Sequence, residues 1–131
     1  MSENKPGPVP YDDLRESRVV SVWLGQFDTE EAFDEYLDRS FASDFGFEIY
    51  PPAGPECGFE EEPKPVRKLL EGFSSAATFI DEAVAGAKRA GVEEATTAVV
   101  FYAMRYRPGL INPRGTAQLT FIGTFAFGKP E

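Results

Sequence analysis

The chain has 131 residues and a net charge of −9, from 22 Asp and Glu against 13 Lys and Arg, with no histidine and one cysteine. That length suits a single domain with its own core, and 42% apolar residues with twelve Phe argue against a disordered chain. The charge makes nucleic acid and anionic membranes poor partners, since both are held through clustered Lys and Arg, and a lone cysteine excludes an internal disulfide.

Residues 1–17 carry three prolines and no periodic apolar pattern, and read as a flexible N-terminal arm. The remainder, 18–131, reads as one domain. From Val19 to Leu24 the run VVSVWL is apolar on both alternating faces, which predicts a strand inside a sheet. Gly25 ends it. Asp28 or Thr29 then caps a helix whose first turn holds Glu30 and Glu31, where the helix dipole favours negative charge. Ala32, Phe33, Tyr36, Leu37 and Phe41 recur at helical spacing as a buried stripe, and Glu31, Asp34, Glu35 and Asp38 fall on the opposite face.

Phe45, Phe47 and Ile49 alternate with Gly46, Glu48 and Tyr50 as a short strand would. Residues 51–65 follow as a Pro/Gly-rich acidic loop, with Glu56, Glu60, Glu61 and Glu62 in it, because the prolines oppose regular structure. Val66–Glu71 predicts a short helix closed by Gly72. A second long helix starts at a Ser74 or Ser75 cap, buries Ala76, Phe79, Ile80, Ala83, Val84 and Ala87, and stops at Gly91. Two more strands complete the chain, Thr96–Tyr106 and Thr116–Phe127, with Ala117, Leu119, Phe121, Phe125 and Phe127 on one face of the last. The order predicts an α+β fold, a small and mostly antiparallel sheet with the two main helices packed on one face.

Few residues offer chemistry. Without histidine there is no Ser-His-Asp or Cys-His system and no His-ligated zinc. Cys57 stands among glutamates, which raise a thiol pKa, and its plainer reading is an incidental loop thiol. Glu60–Glu62 lack the spacing of a hard-cation loop, and no phosphate-binding glycine motif is present. Arg105 and Arg107 bracket Tyr106 and could hold an anion, although pairing with a nearby Glu is the plainer reading. Trp23 and Tyr36 read as core rather than as interface anchors. No catalytic residue, metal or cofactor is therefore expected.

The acidity is uneven: residues 1–62 carry a balance of −12 and residues 63–131 one of +3. That describes a binding surface for a basic partner better than a reaction centre, with Glu31, Asp34, Glu35, Asp38, Glu56, Glu60, Glu61 and Glu62 as its residues. A small-ligand or oligomeric regulatory module using the Phe-rich sheet face is the alternative. With no signal-like leader and no long apolar run, a soluble cytoplasmic protein is expected.

The stretch VSVWLGQFDTEEAFDEYL resembles the opening of the immunity protein 22 family, a V-S-[IV]-W-[LIV]-G strand followed by an F-[DKS]-[ST]-E-E helix start. FASDFGFEIY, LLEGFSSAATFIDEA and AVVFYAMRY are similar to later parts of that pattern, from about Val20 to Tyr106. The resemblance implies an immunity protein of a bacterial polymorphic toxin system, which binds and blocks a cognate toxin domain, often a nuclease.

Overall fold

A computed structural model of the chain describes residues 14–41, 45–46, 55–73, 75–106 and 119–126. Its elements are β1 (Arg15–Gly25), α1 (Glu30–Arg39), β2 (Glu56–Pro65), α2 (Val66–Leu70), α3 (Ala76–Arg89), β3 (Glu94–Met104) and β4 (Leu119–Ala126). The strands lie in the order β2-β3-β1-β4, and every neighbouring pair is antiparallel. The expected α+β class and antiparallel sheet are those found.

The helices, however, are divided between the two faces of the sheet. Val20, Val22 and Leu24 of β1 pack with α2 and α3 through Val66, Leu69, Leu70, Ala76, Phe79, Ala83 and Ala87. Trp23 faces the other way, among Phe27, Phe33 and Tyr36 of the α1 segment and Val99, Phe101 and Tyr106. The cause is the central position of β1 and β3. A strand apolar on both faces needs cover on both, so one helical layer cannot serve it. One layer is rich in aliphatic side chains and Ala, the other in aromatic rings.

Leu14 is 1% exposed and β1 begins at Arg15, so the last four residues read with the N-terminal arm join the sheet and its core; residues 1–13 lie outside the described residues. The proline-rich loop reading also needs correction, because Glu56–Pro65 is a strand. At the edge of a sheet only one side of the backbone must bond, so Pro63 and Pro65 are tolerated and Glu60, Glu61 and Glu62 stay in solvent. The ladder is interrupted: Phe59 pairs with Thr97 and Lys64 with Ala95, which leaves Glu60–Pro63 bulged opposite one residue of β3. Of the predicted strand at Phe45–Tyr50, Phe45 is buried and residues 47–50 lie outside the described residues.

β4 departs from simple alternation as well. Trp23 pairs with Phe121 and Val22 with Gly123, so Ile122 is an extra residue. This bulge turns the strand over. Leu119 and Phe121 pack beside Trp23, whereas Ile122 and Phe125 join the α3 layer, and the expected single face of Leu119, Phe121 and Phe125 is split. Gly123 has φ +139°, a backbone conformation that side chains rarely adopt, which accounts for glycine at the turnover point.

The helix ends follow local rules with one exception. The Thr29 hydroxyl accepts the Ala32 N–H at 3.0 Å, capping α1. Gly91, at φ +83°, closes α3 with bonds from Gly91 N–H to the Lys88 carbonyl and from Val92 N–H to the Ala87 carbonyl. Ser75 precedes α3 as expected, but its side chain caps nothing. Its φ is +57°, and its carbonyl accepts from the Thr78 N–H and hydroxyl instead.

Where β3 ends, Ala103 takes φ +58° and the ladder to β1 loses register between Arg15 and Val20. The buried Ser21 hydroxyl repairs that break: it donates to the Met104 carbonyl at 2.8 Å and accepts the Tyr106 N–H at 2.9 Å. Thr97 is different. It is fully buried in β3, and its hydroxyl finds no hydrogen-bond partner among the described residues. An unmet buried hydroxyl costs about 1–3 kcal/mol, and valine has nearly the same shape. Thr97→Val therefore raises the melting temperature, by roughly 3 °C for a gain of ~1 kcal/mol. A lower melting temperature would show that the hydroxyl is satisfied.

Candidate functional site

The acidic face of α1 is set by the turn that precedes it. Thr96 of β3 accepts the Phe27 N–H through its hydroxyl at 2.9 Å, fixing the exit from β1. The rings of Phe27 and Phe33 then meet at 5.3 Å and those of Phe27 and Tyr36 at 5.4 Å, seating α1 on the aromatic layer. Phe33 and Tyr36 are buried, Leu37 is half-buried, and Ala32 of the expected stripe is exposed. With that side held inward, helical spacing turns Glu31, Asp34, Glu35 and Asp38 to solvent, and all four are exposed. Arg39 approaches Glu35 at 3.7 Å, a surface pair one helical turn apart.

Of the four β2 carboxylates, Glu56 is placed differently. Glu56 pairs in register with Val100, whose side chain lies on the α3 side of the sheet, and it accepts the Tyr102 hydroxyl at 2.7 Å. It is half-buried rather than presented. Glu60, Glu61 and Glu62 are exposed in the β2 bulge. Tyr102 as the partner of Glu56 was not legible in the sequence, because it follows from the pairing of β2 with β3 across more than forty residues.

Cys57, in β2, is within reach of the charges of Asp34 on α1 and of its neighbour Glu56. Its register partner is Val99, which puts it on the α1 side of the sheet. By area the residue is exposed, yet crowding around the thiol makes desolvation the main influence on its pKa, followed by the charges of Asp34 and Glu56; together they push it up to about 11. The sequence expectation of a raised thiol pKa holds in direction, although desolvation outweighs the carboxylates. Against an ordinary value of 9.0, the thiolate fraction near pH 8 falls about a hundredfold. Iodoacetamide should accordingly modify Cys57 far more slowly at pH 8 than it modifies a small free thiol, with the rate climbing until pH 11. Alkylation at the free-thiol rate would contradict the crowded, carboxylate-flanked placement.

Arg105 is engaged structurally. Its guanidinium makes two bonds to the Glu16 carboxylate, Nε to Oε1 and Nη2 to Oε2, both 2.9 Å. The plainer reading of pairing with a nearby Glu thus holds for Arg105, and Arg107 lies outside the described residues. Trp23 is fully buried and Tyr36 is 6% exposed, so both belong to the core. Among the described residues no group of three or more Cys, Asp or Glu is arranged to hold a metal ion, and no helix is long and apolar enough to cross a membrane.

What the geometry offers is an exposed carboxylate face on a helix whose inner side is packed on the core, and a separate acidic bulge on a sheet edge. Comparison with curated proteins and with solved structures gives no significant match. A family model described as Immunity protein 22 matches residues 20–128, from the second half of β1 to beyond β4. The match takes in every helix and strand of the fold except the first half of β1, and the chain belongs to the immunity protein 22 family.

Proposed function

We infer that the chain neutralises a toxin, a role that membership of this family supports. We propose that the chain acts without catalysis, in the cytoplasm of the cell it protects, by covering a basic surface of a cognate toxin domain, a nuclease or another toxin with a basic cleft. The observation that carries this reading is the outward set Glu31, Asp34, Glu35 and Asp38, exposed together on α1. Carboxylates on a preformed helix meet Lys and Arg without a rearrangement of the backbone, and opposite charge speeds the encounter. Glu60, Glu61 and Glu62 extend the surface along the β2 edge, whereas Glu56, bonded to Tyr102, contributes least.

The alternative of a ligand or oligomeric module on a Phe-rich sheet face has less support. Both faces of the described sheet are occupied by packed side chains, so a ligand would have to displace core residues.

The test uses the cognate toxin domain, sought among the products of the neighbouring genes. Its affinity for the chain should fall at least tenfold between about 50 and 500 mM salt. The variant carrying Glu31→Gln, Asp34→Asn, Glu35→Gln and Asp38→Asn should bind about 30- to 100-fold more weakly, if each pair contributes ~0.5–0.7 kcal/mol. Its melting temperature should stay close to that of the parent chain, confirming that the fold is intact. Affinity indifferent to both salt and these substitutions would remove the acidic interface and leave the family's role to another surface.

A further inference from the structure

No further inference is drawn: the strongest candidate, the acidic bulge Glu60–Pro63 on the β2 edge, belongs to the surface already proposed for the toxin, and nothing among the described residues marks a separate ligand there.

Discussion

Gly86→Ala should lower the melting temperature by roughly 5–10 °C, although alanine is the better helix former by about 1 kcal/mol. Gly86 lies well inside α3, where propensity alone favours the substitution. Packing reverses the sign. A Cβ at this position would stand 2.7 Å from the Ile122 carbonyl oxygen and 2.7 Å from Cζ of Phe125. The ring can turn slightly, but the carbonyl belongs to the backbone of the β4 bulge, so α3 as a whole must lift from the sheet. Overpacking of a filled core costs about 1–3 kcal/mol and more where backbone must move, which leaves a net loss of roughly 2 kcal/mol after the propensity gain. Ala85→Gly provides the comparison, since Ala85 is exposed on the same helix and its replacement should cost only the propensity term. If Gly86→Ala were as stable as the parent chain, the close approach of α3 to the bulge would be wrong.

Trp23→Ala should be more damaging still, at ~4 kcal/mol or more, against a total stability of about 5–15 kcal/mol for a domain of this kind. The indole is fully buried, with ring centroids of Phe41, Phe45, Phe101, Tyr106 and Phe121 between 5.0 and 5.6 Å away. Deleting it removes the common neighbour of five aromatic side chains contributed by several separate segments. A thermal melt should show a fall of roughly 15 °C, or no cooperative transition at all. Trp23→Phe keeps most of the apolar area and should fold. In that variant toxin affinity should stay within about twofold of the parent value, because the residue is core; an interface anchor would lose on the order of 2 kcal/mol, some thirtyfold. A folded Trp23→Phe with toxin binding lost would move Trp23 from the core to the interface.

Periodicity made β1, α1, α3 and β3 legible in the sequence, because each has a repeating apolar pattern and ends in residues with known backbone preferences. Thr29 and Gly91 mark two of those ends, and the structure uses both as expected. β2 was not legible, since an edge strand has neither a buried face to pattern nor a full set of backbone bonds to forbid proline. The division of the helices was legible in part. VVSVWL shows two apolar faces, and that alone calls for cover on both sides, but nothing local says which helix goes where. The turnover in β4 depends on its register with β1, and so on residues about a hundred positions away.

The candidate surface divides along the same line. The outward face of α1 follows from the spacing of four carboxylates on one helix. The half-burial of Glu56 behind Tyr102 and the neighbourhood of Cys57 follow from strand pairing, which composition cannot reveal.

The one tryptophan in the chain sits in the aromatic layer beneath α1, on the side that carries the acidic face. Its emission consequently monitors that layer and not the aliphatic one across the sheet, so a partner that shifts α1 on docking would signal its own arrival optically, without an attached dye.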